Sequence, residues 1–209
     1  MYKSFLKRFF DITLSLIGIL VLAIPMLFIA LIIKLDSKGP IIFKQKRIGI
    51  HKTHFMIYKF RSMRTDVPHD MPTHMLKDSE SYMTAWQRFM RKTSLDELPQ
   101  LFNILKGDMS IIGPRPALWN QFDLVEERDK YGANDVLPGL TGLAQISGRD
   151  ELEIPKKAKL DGEYAAKVTF LMDAKCFFGT ISAVITRKGI VEGKQSAENE
   201  TEGKEELAK

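Results

Sequence analysis

Apolar and polar positions are unevenly distributed along the chain. From Ile12 to Ile33, 22 consecutive positions carry no charge. At about 1.5 Å per residue a helix of that length spans roughly 33 Å, close to the hydrocarbon thickness of a bilayer. A core helix of a small domain is seldom apolar all round over such a length. A signal peptide has a shorter apolar region and a small-residue cleavage site, and no A-x-A site follows here. Membrane insertion is therefore expected over residues 1–38. Lys3, Lys7 and Arg8 precede the run, and Lys34, Lys38, Lys44, Lys46 and Arg47 follow it. Lys/Arg bias marks the cytoplasmic side, and here both flanks are basic. Pro25, near the middle, kinks a helix. A re-entrant helix, entering and leaving on one face, accounts for both features. A straight spanning helix would leave Lys3, Lys7 and Arg8 across the membrane on a short tail. Lys7 and Asp11 share a helical face, which reads as an i,i+4 ion pair. Lys7 and Arg8 also read as a lipid headgroup clamp.

Gly39-Pro40 ends the helical pattern. Ile41 to Phe43 and Thr53 to Phe60 predict two strands of a β-hairpin, joined through Gly49 to Lys52. Between Ile41 and Arg61 lie six bases and no acid. Lys44, Lys46 and Lys52 read as solvated. Lys59 and Arg61 alternate with Tyr58, Phe60 and Met63, so both can face one side as a phosphate-binding wall. Thr65 to Ser81 reads as an irregular loop. The four histidines lack the partners that zinc sites use and read as surface residues. Helical patterns recur over Tyr82–Lys92, in part of Ala117–Gly132, and over Pro155–Ala166 and Thr169–Lys188. The charges of Glu126, Glu127, Arg128, Asp129 and Lys130 read as a solvated face. The last helix is apolar enough to pack on the body or lie at a membrane interface. The fold class is α+β, mainly helical: a re-entrant membrane helix over residues 1–38, a catalytic domain over 39–191 with a β-hairpin and amphipathic helices around the site, and a disordered acidic tail over 192–209.

Charge sharpens this division. The whole chain carries +5, but the tail from Glu192 contributes −3, so the body carries +8. A basic body beside a membrane anchor points to a polyanionic partner. The single cysteine, Cys176, excludes an intrachain disulfide and fits a reducing compartment.

The candidate chemistry lies in Arg91–Pro116. Asp96 and Glu97 are adjacent carboxylates ahead of a helix-length pattern that runs to Lys106, with Gly107 as its stop. Ser94-x-x-Glu97 can be a capping box, but Pro99 then falls inside the helix. With Asp96 as the cap, Pro99 lies in the first turn. Asp96 is then either only a cap or also a nucleophile toward phosphorus, in a position that favours anions and Mg²⁺. Glu97 is placed to hold metal or relay a proton. In Gly113-Pro-Arg-Pro116 the prolines restrict the backbone around Arg115, which preorganises its fork for a phosphate. The plainer alternative is a rigid turn with a solvated arginine. Pro138-Gly-Leu-Thr-Gly142 can bring backbone close to a ligand.

Tyr58-Lys-Phe-Arg-Ser-Met63, Ser94-Leu-Asp-Glu-Leu-Pro-Gln-Leu101, Lys106-Gly-Asp-Met-Ser110, Gly113-Pro-Arg-Pro116, Pro138-Gly-Leu-Thr-Gly142 and Gln145-Ile-Ser-Gly-Arg149 together resemble the motifs of the bacterial sugar transferases, the monotopic phosphoglycosyl transferases, in the same order. The resemblance implies transfer of a sugar-1-phosphate from a UDP-sugar to undecaprenyl phosphate, releasing UMP, on the cytoplasmic face of a bacterial membrane. It implies Asp96 as nucleophile and Mg²⁺ ligand, Glu97 as its partner in the dyad, Arg115 as a phosphate-binding residue and Arg149 near the nucleotide. Lys59, Arg61 and Arg91 complete the candidate phosphate-binding set, and a homodimer is compatible with all of it. Nucleic acid is not an expected partner. Two positions depart from the family pattern. Ile24-Pro25 stands where relatives often have Ser-Pro, and Leu143 stands where an aromatic residue is common. The rival from another class is a membrane-anchored basic binding protein. A second rival is a one-step transferase in which Asp96 only holds metal.

Overall fold

The computed structural model describes residues 2–65, 79–148 and 152–186. Helix α1 (Lys7–Asp36) contains the whole apolar run and continues through Pro25. Among the described residues it is the one helix long and apolar enough to cross a membrane. An antiparallel hairpin follows, β1 (Ile42–Ile48) and β2 (His54–Phe60). Then come α2 (Ala85–Lys92), α3 (Gln100–Lys106), β3 (Ser110–Ile112), α4 (Phe122–Asp129), β4 (Gly139–Thr141), α5 (Leu143–Ser147), α6 (Ile154–Ala166) and α7 (Phe170–Thr186). The described residues are mainly helical, with two small sheets.

Strand β1 runs well past Phe43, through a segment that hydropathy alone does not mark as strand. Its outward residues, Lys44 and Lys46, lie over the rings of Tyr58 and Trp119, each at 5.6 Å. Its inward residue Gln45 is buried. Strands β3 and β4 form a two-stranded parallel pair that the sequence reading did not anticipate.

The two ends of α1 are buried against the body, and its middle makes only half-buried contacts, such as Gly18 beside Leu101 of α3. Asp11, buried, accepts hydrogen bonds from Ser110 Oγ and Ile111 N, both at 2.9 Å. Ile29 and Ile33 are buried against Phe60 and Met90. Between Leu16 and Phe28 no residue is buried, and Leu20, Val21, Ile24, Leu27 and Phe28 are exposed. The expected Lys7–Asp11 ion pair does not form. Lys7 Nζ instead pairs with Asp173 Oδ2 on α7 at 2.7 Å, where Tyr2 and Tyr164 also bond. A tertiary partner supplied by α7 displaces the local one.

Among the described residues four small apolar clusters stand in place of one large core, and three of them include a hairpin residue. Phe60 joins α1 and α2, Ile57 joins α3, and Ile48 joins α4 and α6. The fourth unites β3, α5, α6 and α7. The hairpin is thus the shared wall on which the candidate site is built. Residues 66–78 and 192–209, including His69, His74 and the acidic tail, lie outside the described residues.

Candidate active site

Each turn of chain around Asp96 and Glu97 has a local cause. Helix α2 starts at a capping box, in which Thr84 and Gln87 exchange side-chain to backbone bonds. It ends before Ser94, whose φ of 57° turns the chain sharply back. Leu95–Glu97 form one 3₁₀ turn, and α3 begins only at Gln100. Neither Ser94 nor Asp96 caps α3. Pro99 occupies the cap position, and the N–H groups of Glu97, Leu98, Leu101 and Phe102 bond to carbonyls three residues back. The helix does end at Lys106, with Gly107 left-handed at φ 103°. The carboxylates therefore sit on a tight turn, not among free helix N–H groups.

Asn103, fully buried on α3, fixes that turn against the hairpin. Its Oδ1 accepts from Tyr58 N at 2.9 Å and its Nδ2 donates to Met56 O at 2.8 Å. An amide side chain thus continues the backbone hydrogen bonding of β2. This brings Glu97 to the next residue of the strand: Lys59 Nζ donates to Glu97 Oε1 at 2.7 Å.

Arg115 reaches the same carboxylate from the other side, Nη2 to Oε1 at 2.7 Å and Nη1 to Oε2 at 3.5 Å. Its loop is held by the second sheet. Gly113 N donates to Thr141 O at 2.7 Å and Gly139 N to Pro114 O at 2.8 Å. The glycines of Pro138–Gly142 serve this contact. A Cβ on Gly139 would lie 2.1 Å from Gly113 N, so only glycine allows the two backbones to meet.

The two carboxylates differ in state. Burial alone would raise Glu97, but the Arg115 guanidinium and the Lys59 ammonium outweigh it and hold Glu97 well below the usual range. Asp96 is buried at 6% exposure, and Ser62 Oγ, 3.5 Å from Oδ2, is its hydrogen-bonding neighbour among the described residues. Burial raises its pKa, Lys59 opposes that, and the charge of Glu97 adds to it. One adjacent carboxylate is committed to cations, and the other is left available.

Arg91 closes α2, and its charge also bears on Asp96. Arg47 is a further cation that sequence reasoning did not single out. The hairpin register pairs Phe43 with Lys59, Gln45 with Ile57 and Arg47 with Phe55. Paired residues share a face, so Arg47 and Lys59 lie on the same side of the sheet. Burial and then the neighbouring Arg115 lower Arg47 to about 10, Glu97 acting against them, which leaves it charged at neutral pH. The alternation Phe43-x-Gln45-x-Arg47 was the available signal. Lys59, Arg47, Arg91 and Arg115 thus act on two carboxylates, an excess of positive charge suited to a polyanion.

Three expected ligand cations are engaged elsewhere. Arg61 does not join Lys59 in a wall. It is buried and donates to the carbonyls of Ile33, Ser37 and Lys38 at the end of α1. The left-handed Gly39 makes room, since a Cβ there would meet the Arg61 guanidinium. Arg8 donates to Ile104 O at 2.6 Å and Leu105 O at 2.9 Å, at the end of α3. Both arginines satisfy terminal carbonyls at the negative end of a helix dipole. Lys7, as above, is paired with Asp173. Arg149 lies outside the described residues.

Asp96 fits a divalent cation in its chemistry, being a hard oxygen donor with a sparse set of competing bonds. No group of three or more His, Cys, Asp or Glu that could hold a metal occurs among the described residues. A magnesium ion needs only one or two carboxylates when substrate phosphates complete its shell.

The sequence pattern of the family described as Bacterial sugar transferase matches residues 2–187. The uncharacterized sugar transferase EpsL of Bacillus subtilis is 39% identical over 185 residues, covering 88% of this chain and 90% of the relative. The exopolysaccharide production protein PSS of Rhizobium leguminosarum is 41% identical over 196 residues, covering 87% of this chain and 96% of the relative. The undecaprenyl-phosphate galactose phosphotransferase of Salmonella typhimurium is 36% identical over 202 residues, which is 90% of this chain but 42% of that longer protein. A family pattern running from the membrane helix to α7, over a site of this geometry, places the chain in the bacterial sugar transferase family.

Proposed function

We propose that the chain transfers a sugar-1-phosphate from a UDP-sugar to undecaprenyl phosphate, with Asp96 as covalent nucleophile. The observation that carries this reading is the division between the two carboxylates: Glu97 binds Lys59 and Arg115, while Asp96 beside it holds no cation in a direct bond among the described residues. An Asp96 oxygen attacks the β-phosphorus of the donor. The bond from that phosphorus to the bridging oxygen breaks, and UMP leaves. A phosphate oxygen of undecaprenyl phosphate then attacks the same phosphorus, restores the free carboxylate and forms the lipid diphosphate sugar. Arg115, Lys59 and Arg47 hold the diphosphate by charge, and Glu97 keeps the first two of these in place. Mg²⁺, held at Asp96, would supply neutralisation of the diphosphate charge.

The anchoring of α1 supports a re-entrant placement. Asp11 and Ile33 both touch the body, and about 22 residues between them span roughly 33 Å if straight. A helix fastened at both ends to a domain on one side of the membrane cannot also cross it. Its uncovered middle, around Pro25, is the part left for lipid. With the basic flanks, this supports a domain on the cytoplasmic face, where both anionic substrates would meet at headgroup depth. The role is then the first membrane step in building a lipid-linked glycan.

Relatives named for glucose, galactose and N-acetylgalactosamine match at 40, 36 and 37% identity, so identity does not rank the sugars. The test is a panel of UDP-sugars with Mg²⁺ and undecaprenyl phosphate, reading UMP release. Release with at least one sugar, lost in Asp96→Asn, is expected. A membrane-anchored binding protein without catalysis would release none.

A further inference from the structure

The main chain of Arg115 is held from behind. Arg128 Nη2 donates to Arg115 O at 2.9 Å. Arg47 Nη1 donates to the next carbonyl, Pro116 O, at 3.1 Å. Arg128 was expected on a solvated face, yet its side chain is 4% exposed. It projects from the last turn of α4 to Asp161 in α6, whose side chain is 1% exposed. Both Nε and Nη2 of Arg128 reach Asp161 Oδ2, at 2.9 and 2.6 Å.

A buried ion pair is seldom the most stable way to fill such a space, because apolar residues of similar volume often do as well. What an apolar pair cannot do is hold a carbonyl in a fixed direction. The planar guanidinium does both things here: one edge meets Asp161, and the shared Nη2 also meets Arg115 O.

We propose that Arg128, braced by Asp161, is a positioning residue for Arg115. It fixes the Arg115–Pro116 peptide so that the Arg115 fork faces Glu97 and the substrate phosphate. Arg128 touches no substrate. The inference rests on Arg115 binding phosphate in the proposed reaction.

Two variants test it. Arg128→Lys keeps a charge opposite Asp161 but lacks the fork needed to serve both partners. Arg128→Met with Asp161→Leu removes the pair without stranding a buried charge, and it keeps the test usable where a single change fails to fold. Each is purified in detergent as the full chain and compared with wild type by UMP release and by phenylglyoxal labelling at Arg115, read by peptide mass spectrometry. Both variants are expected to lose roughly 10- to 100-fold in kcat/KM, in line with a misplaced binding group. In an Arg115→Ala background the same changes are expected to cost nothing further, because Arg128 acts through Arg115. Labelling of Arg115 is expected to rise severalfold as it loosens from Glu97. Wild-type kcat/KM in a folded variant, a full further loss on top of Arg115→Ala, or unchanged labelling would each overturn the proposal. Labelling needs no turnover. If wild type releases no UMP from any sugar nucleotide, the proposed reaction fails and labelling still decides the positioning role.

Discussion

Asp161 and Glu97 are both gripped by arginine, and their surroundings are opposite. Asp161 meets Arg128 in a closed pair, with side-chain exposures of 1 and 4%. Glu97 meets Arg115 and Lys59 in a pair of contacts that opens outward, with the Arg115 side chain 37% exposed. At Asp161 one acid answers one base. At Glu97 the bases outnumber the acids, and among the described residues Asp96 stands next to it without a direct cationic partner. A balanced, sealed pair holds structure together. An unbalanced, accessible one is ready for a charged ligand.

The largest contrast is expected from removing one member of each group. Asp96→Asn should abolish turnover, by about a thousandfold or more, while leaving the protein folded. The same substitution should raise Tm at neutral pH in metal-free buffer. Burial raises the Asp96 pKa in the folded protein, so stability from this group is fully present below the ordinary aspartate value and falls as pH rises through the folded value. A neutral amide avoids that loss, and the gain in Tm should shrink as the pH is lowered. Asp161→Leu alone should do the reverse: destabilise by about 3–5 kcal/mol, because Arg128 is left buried and unpaired. Urea unfolding of the two variants sets them side by side.

Arg115→Ala is the next step down. Loss of one preorganised donor to a phosphate oxygen should reduce kcat/KM by about 10²–10³, with little change in Tm because the side chain is partly exposed. Equal losses of stability for Arg115→Ala and Asp161→Leu would erase the distinction between the open and closed pairs.

The smallest effect concerns Arg8. Arg8→Met removes two bonds to terminal carbonyls of α3 and should cost about 1–2 kcal/mol of stability. It should leave flotation with anionic vesicles unchanged, since the arginine faces protein and not lipid. Reduced vesicle binding at unchanged Tm would restore the headgroup role that its sequence position suggested.

Legibility followed the range of the interaction. The apolar run, the hairpin, the end of α3 at Gly107, the helices α6 and α7, and the pairing of adjacent carboxylates with a proline-flanked arginine are all local patterns, and they can be read along the chain. The destinations of the cations are not local. Lys59 and Arg61 are two residues apart, yet Lys59 reaches Glu97 and Arg61 turns back to α1. Which carbonyls are left open by a helix end is decided by packing, so no spacing reveals it. Arg128 lies in a run of five charged residues and reads as solvent-facing. Its burial depends on Asp161, which comes 33 residues later. The parallel pairing of β3 with β4 was hidden for a similar reason: each strand has three residues, too few to show alternation, and glycines at the contact look like turn signals.

The difference between Asp96 and Glu97 is tested most directly by intact-protein mass spectrometry. Wild type and Asp96→Asn are incubated with UDP-sugars and Mg²⁺, without undecaprenyl phosphate. A phosphosugar adduct on wild type that maps to Asp96, is absent from Asp96→Asn and disappears when the lipid acceptor is added is the predicted result. UMP release in the presence of acceptor with no adduct in repeated trapping, or an adduct that persists in Asp96→Asn, would contradict it.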